Sequence, residues 1–344
     1  MKRLLSCILP ALVLLCALPA SGWQIGVGQP MPHRCFSIAA IPGLGLLAGS
    51  YAGGGWVYTI DPDTLEWQAW RKLAVSIGHE SIAYFMAIDD RIGVNAFTED
   101  AAGPQCWTAW QDQGWRFRRT SDEFPLGMEY ALGGPEAAVQ GIAAVSTGHG
   151  RLKGGVLCRW QIDAWKPITS ELWHEGQPCL IWTSAEFNGR KLAGASASTS
   201  HYNAPGVGLL AEWANGAWHI IPIPTMAGIV RLTQLAGDPG ALYLSTTHGA
   251  IWRTADLTEF ALYHQGNGTH GDAWIFEIDG SRVVACAGGQ VWDDGQLVID
   301  RERTAWMSPI KITLPDGREV LAGTIVDEDE PFSRVMRIEK ETEP

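Results

Sequence analysis

Apolar residues along this chain fall into short runs, and the breaks between runs are turn residues. From Cys35 to Trp70 there are four such runs. Cys35–Ile41 is followed by Pro42-Gly43, then Leu44–Ser50 and a glycine-rich stretch; Trp56–Ile60 is followed by Asp61-Pro62-Asp63-Thr64 and Leu65–Trp70. Runs of this length, with Gly, Pro and Asp between them, predict a four-stranded antiparallel meander. Both faces of such a meander are apolar. It cannot bury itself alone and needs neighbours of the same kind.

The pattern returns down the chain. A second pass uses Ser81–Ile88, Ile92–Thr98, Cys106–Trp110 and Trp115–Arg118, and a third uses Gly127–Leu132, Val139–Thr147, Gly155–Trp160 and Trp165–Ile168. The fourth is the clearest: Leu180–Glu186, Lys191–Ser196, Gly208–Trp213 and Ala217–Ile221, with Asn188-Gly189 and Asn215-Gly216 as turns. Ile229–Tyr263 and Trp274–Ile299 give a fifth and sixth. The seventh has Ile310–Thr313, Glu319–Thr324 and Arg334–Ile338, one strand short. Second-strand ends fall at Gly49, Asn95, Thr147, Ser196, Thr246, Ala287 and Thr324, a period of roughly 40–50 residues. Trp23–Gly28 (WQIGVG) has the Trp-led pattern of the outer strands and is predicted to supply the missing one.

Four-stranded units of this period are what a β-propeller is made of. The stretch 23–344 resembles the β-propeller superfamily, and IDPDTLEWQAW is similar to the Asp…Thr…Trp turn of kelch and quinoprotein-like blades. VWDDG at 291–295 lacks the Gly-His partner of a WD40 blade. The expectation is an all-β, seven-bladed β-propeller of four-stranded antiparallel blades, one domain over 23–344, with the ring closed by the N-terminal strand.

Composition adds the setting. The chain has 344 residues, 46% of them hydrophobic, with 40 Gly and 17 Trp, which is ample for a large core. The tryptophans read as blade-to-blade packing. A net charge of −12 argues against nucleic acid or an anionic membrane surface as partner. Met1–Gly22 reads as a secretory signal: Lys2 and Arg3, an apolar stretch from Leu4 to Leu18, then Ala20-Ser21-Gly22. That stretch, interrupted by Pro10, is too short to span a bilayer. The expected product is exported, periplasmic or extracellular. Five cysteines follow the leader: Cys35, Cys106, Cys158, Cys179 and Cys286. Cys158 and Cys286 read as small buried residues, and among Cys35, Cys106 and Cys179 one disulfide is open.

The candidate chemistry follows from strand order. Turns between first and second strands, and between third and fourth, share one face of a propeller and here are plain turn residues. Second-to-third loops and blade connections share the other face, around the channel mouth. On that face the reading puts His149, His201, Tyr202 and His248 in loops, His79, His174, His264 and His270 on connections, and His33 before the first strand; His219 alone lies in a strand.

Three uses of such a face stay open. As a polysaccharide lyase, His201 and Tyr202 would be base and acid, Arg151 would neutralise a uronate carboxylate, and His79 or His270 would bind it; this is analogy at the level of fold. As a metal site, the histidines, or Asp327, Glu328, Asp329 and Glu330, would hold a divalent ion. As a non-catalytic platform, the face would bind a carbohydrate or a protein ligand, with Trp173, Tyr202 and Trp306 available for stacking. For the carbohydrate site the predicted contacts are His79, His149, His248, His270 and Trp173.

Overall fold

The computed structural model describes residues 22–41, 43–50, 55–72, 80–88, 91–100, 103–119, 130–132, 142–146, 154–161, 164–197, 207–266, 272–301, 304–327 and 332–341. Apart from the short 3-10 helix Gln111–Gln113, the regular structure there is all strand. The strands form seven antiparallel sheets, six of four strands and one of five.

The first sheet takes Cys35–Ile41, Gly45–Ser50, Trp56–Ile60 and Trp67–Lys72 in sequence order, and the next two span Glu80–Arg119 and Tyr130–Pro167 in the same way. The fourth contains Gln177–Phe187, Arg190–Ala197, Val207–Ala214 and Ala217–Ile221; the fifth and sixth span Ile229–His264 and Ala273–Asp300. The seventh is built from Thr304–Thr313, Glu319–Asp327 and Arg334–Lys340. Its fourth strand is Trp23–Val27, which pairs antiparallel with Arg334–Lys340 from Trp23↔Lys340 to Val27↔Met336. The N-terminal segment thus completes the last sheet, as the Trp-led pattern predicted.

Among the described residues, apolar faces of neighbouring sheets pack on one another. First strands pack on first strands: Cys35–Ile41 contacts both Glu80–Ile88 and Thr304–Thr313, and Ile229–Leu235 contacts both Gln177–Phe187 and Ala273–Ile278. The core is accordingly a series of layers. Ile38, Leu46, Ala48 and Tyr58 of the first sheet meet Ile312, Val320, Ala322 and Val335 of the seventh. Phe187, Leu192 and Leu210 of the fourth meet Leu232, Leu242 and Leu244 of the fifth. This explains why the strands read as apolar runs with little alternation: both faces are covered. Several tryptophans join these layers. Trp110 is fully buried, and Trp23 and Trp274 nearly so.

The two ends of the sheets are built differently. At one end, two-residue turns close four of the hairpins: Asn188-Gly189, Asn215-Gly216, Asp279-Gly280 and Asp294-Gly295 all have positive φ at both positions, the geometry of type I′ turns that match the strand twist. At the other end, the start of a third strand is tied to the connection that leads into the next sheet. Gly208 N–H donates to the Met226 carbonyl at 2.9 Å, Leu172 N–H to Gly155 at 2.8 Å, and Arg301 N–H to Gly289 at 3.3 Å. The backbones approach so closely that a Cβ at Gly154 would lie 2.1 Å from the Leu172 oxygen.

Among the described residues, the carboxylate bonding of the Asp61 turn recurs at Asp256. Asp61 Oδ1 accepts the N–H groups of Asp63 and Thr64 at 2.8 and 2.9 Å, and Asp256 Oδ1 accepts those of Thr258 and Glu259 at 2.8 and 3.0 Å. The positive φ falls at Leu65, four residues after Asp61, but at Leu257, directly after Asp256, so the two turns share the carboxylate bonding and not the backbone path. Cys35, Cys158, Cys179 and Cys286 are buried free thiols, so Cys35 and Cys179 share no disulfide; burial pushes each thiol up to about 12.

Candidate functional site

Of the five described histidines, four stand at the end of the sheets where second-to-third hairpins and connections lie. His33 precedes Cys35–Ile41, His174 precedes Gln177–Phe187, His248 is in the hairpin after Asp238–Thr246, and His264 ends Ala261–His264. His219 lies within Ala217–Ile221. His79, His149, His201, Tyr202, Arg151 and His270 lie outside the described residues, as do Glu328 and Asp329. Asp327 ends the strand Glu319–Asp327 and pairs with Thr304.

Two of these histidines are committed to packing. His33 Nδ1 is hydrogen-bonded to the hydroxyl of Tyr58, whose side chain is 1% exposed. The His33 ring stacks on Trp56 with centroids 6.1 Å apart and an interplanar angle of 16°, and Tyr58 meets Trp67 edge-on at 5.4 Å. Burial first and the Lys72 charge second hold His33 below the usual imidazole range, while burial drives the Tyr58 phenol far upward. His264 Nε2 lies 3.5 Å from Cys286 Sγ, and its ring meets Trp292 at 5.3 Å; burial lowers its pKa. Both rings are held against aromatic neighbours.

Trp173 and His248 face solvent. Trp173 belongs to a feature that pattern reading missed: a two-residue strand, Trp173–His174, which hairpins onto Gln177–Phe187 and gives the fourth sheet its fifth strand at the first-strand edge. Glu175 and Gly176, both at positive φ, make the turn; the Glu-Gly pair before an apolar run was the available signal. Trp173 is 39% exposed, yet its orientation is fixed. Its indole N–H donates to Glu171 Oε2 at 3.0 Å, and that oxygen also accepts Gly154 N–H at 3.2 Å.

A third group was not foreseen. Asp272 stands just before Ala273–Ile278, beside Arg231, whose guanidinium carbon lies 5.8 Å from the Trp274 ring centroid. Burial pushes the Asp272 carboxyl up to about 6, with Arg231 acting in the opposite direction. A folded-state pKa raised from the unfolded value contributes stability that is fully present below the unfolded value (about 3.9) and is lost as pH rises through about 6. D272N keeps the neutral shape. It is expected to stabilise the protein by ~1–2 kcal/mol in mildly alkaline buffer and by little below pH ~4, measured by thermal unfolding at both; equal gains at the two pH values would contradict this.

Among the described residues no three His, Cys, Asp or Glu side chains converge as metal ligands, and no helix is long and apolar enough to cross a membrane.

No protein-family model and no curated protein matches the chain. Solved structures do. YCF48 from Cyanidioschyzon merolae is 13% identical with a TM-score of 0.57, covering 93% of this chain and 99% of that one. The WD40 β-propeller domain of Doa1 is 12% identical with a TM-score of 0.54, covering 92% and 97%. YCF48 bound to a D1 peptide is also 12% identical at 0.54, covering 93% and 96%. At these identities the likeness is one of fold. The chain has an all-β architecture of antiparallel sheets that resembles β-propellers in general, with no particular family singled out.

Proposed function

We propose that this chain is an exported, non-catalytic binding protein, and that residues 23–344 form one seven-bladed ring closed by the N-terminal strand after removal of residues 1–22. Its ligand is an extended segment of a protein partner, held across the end of the sheets that carries the second-to-third hairpins and the connections between sheets. The observation that carries this reading is the inequality of the two ends. One has two-residue Asn-Gly and Asp-Gly turns at four of its hairpins; the other bears His33, Arg34, Lys72, Trp173, His174 and His248. Rigid frames that present variable side chains at one rim are suited to recognition. That one of the similar structures holds a peptide supports a peptide ligand here.

Carbohydrate binding is the second reading, favoured by one observation: the exposed indole of Trp173, locked by Glu171, has the fixed aromatic face on which a sugar ring stacks. Lyase chemistry at His201, Tyr202 and Arg151 is the catalytic form of that reading. The two readings separate by experiment. Peptides selected from a displayed library against the folded protein are expected to bind, and to lose affinity about five- to tenfold on Trp173→Ala, while uronate polysaccharides give no rise in the ultraviolet absorbance of an unsaturated sugar. Turnover of a uronate polymer, abolished by His201→Ala, would overturn the proposal.

A further inference from the structure

The first sheet is where an acidic chain becomes locally cationic. With a net charge of −12, the sequence has no Asp or Glu between Gly22 and Ile60 and none between Trp67 and His79. The fold brings the cations of these stretches to one end of one sheet. Arg34 leads into Cys35, which pairs with Ser50, and Lys72 pairs with Trp56 at the same end. Arg34, Arg71 and Lys72 are all exposed. Arg71 and Lys72 form no ion pair among the described residues; they stand over indoles instead, Arg71 at 5.2 Å from the Trp70 centroid and Lys72 at 5.9 Å from that of Trp56. The His33 ring also stacks on Trp56, at 6.1 Å. Imidazole and ammonium thus both meet the Trp56 indole at this sheet end, each close to 6 Å from its centroid.

We infer that this end of the first sheet docks an acidic peptide segment of the partner, laid across His33, Trp56 and Lys72, with its carboxylates on Arg34, Arg71 and Lys72. The inference rests on the reading of this end as the binding end and assigns the part of the ligand that crosses the first sheet one chemistry. The spacing decides between a peptide and a small anion. A phosphate needs donors that converge on one point. Here Arg34 is at the first strand and Lys72 on the fourth, their backbones about 14 Å apart at the usual strand spacing. Roughly four residues of extended chain cover that distance. Charge complementarity of this kind steers encounter and fixes register.

The test uses a labelled, capped oligoglutamate of about eight residues, titrated against the full chain at ionic strength near 0.01 M. The variants are the double reversal R71E/K72E and, as control, R116E, an exposed arginine next to Gln111–Gln113 at the turn end; unchanged circular dichroism and melting confirm that each is folded. The expected result is binding that salt weakens, a loss of about tenfold or more in the double variant, and a change under about twofold in R116E. Equal loss in R116E, indifference to both variants, or no binding at low salt would overturn the inference. So would displacement by inorganic phosphate at matched charge, which reassigns the patch to a small anion. Binding that appears only after Asp327–Glu330 are neutralised would make the chain's own acidic run the occupant. Library-selected peptides that bind this end of other sheets, with oligoglutamate inert, would sink this inference and leave the proposed function standing; selected peptides seated on the turn end would sink both.

Discussion

Trp23→Ala is expected to destabilise the protein by ~3–5 kcal/mol, although it changes the first residue of an edge strand. Edge positions are usually cheap to alter, and the neighbours show it: Ile25 and Val27 are 42% and 41% exposed, and Ile25→Ala should cost under about 1 kcal/mol. Trp23 differs because it is 8% exposed and packs between the sixth and seventh sheets, against Ile278, Val283, Ile299 and Ile338. Its indole N–H donates to Asp293 Oδ2 at 3.0 Å, and Lys340 reaches the same oxygen at 3.2 Å while standing 5.3 Å from the indole centroid. Removing the ring leaves a cavity and strips one partner from a half-buried carboxylate whose Oδ1 already has none. Deleting residues 1–27 should go further, because it opens the Arg334–Lys340 strand as a bare edge prone to intermolecular pairing. Chemical denaturation of W23A beside I25A measures the contrast. Similar losses for the two would mean that the strand contributes by backbone pairing alone.

Gly208→Ala is the second large effect. A Cβ built there would lie 1.7 Å from the Ala227 carbonyl oxygen and 2.4 Å from its carbon, so backbone must move. Gly208 has no positive φ; the constraint is purely the approach of the connection that leads into Ile229–Leu235. The expected cost is ~3 kcal/mol or more, together with loss of the 2.9 Å bond from Gly208 N–H to Met226. Gly216→Ala is the informative comparison. Nothing lies within 4 Å of its Cβ position, but φ is +78°, so a methyl group there costs ~1–2 kcal/mol through conformation alone. Denaturation midpoints should rank G208A well below G216A; the reverse order would mean that the connection yields more readily than the turn.

Much of the fold was legible because its determinants are local. Asn188-Gly189 and Asn215-Gly216 demand a particular turn, and runs such as Trp56–Ile60 and Ala217–Ile221 match the observed strands residue for residue. Completion of the seventh sheet by Trp23–Val27 was readable from a count of strands and a Trp-led pattern. Long-range contacts were not readable. Nothing local in Gly154 or Gly208 announces a neighbouring backbone, since a glycine chosen for close approach looks like one chosen for a turn. The Trp173–His174 strand was missed because two residues carry no periodicity. Histidine placement was legible as topology, in that His33, His174, His248 and His264 share one end. Their chemistry was not: the pairing of His33 with Tyr58, or of His264 with Cys286, joins strands whose register only the fold sets. The cationic sheet end was in plain view as an acid-free stretch, but its meaning depended on Lys72 arriving beside Trp56.

Hydrogen exchange of the full chain, with and without a library-selected peptide, tests the binding end most directly. The expected result is new protection at residues 33–35, 55–57, 71–72, 173–178 and 247–250, with none at the Asn188-Gly189, Asn215-Gly216, Asp279-Gly280 and Asp294-Gly295 turns. Protection confined to those turns would contradict the account.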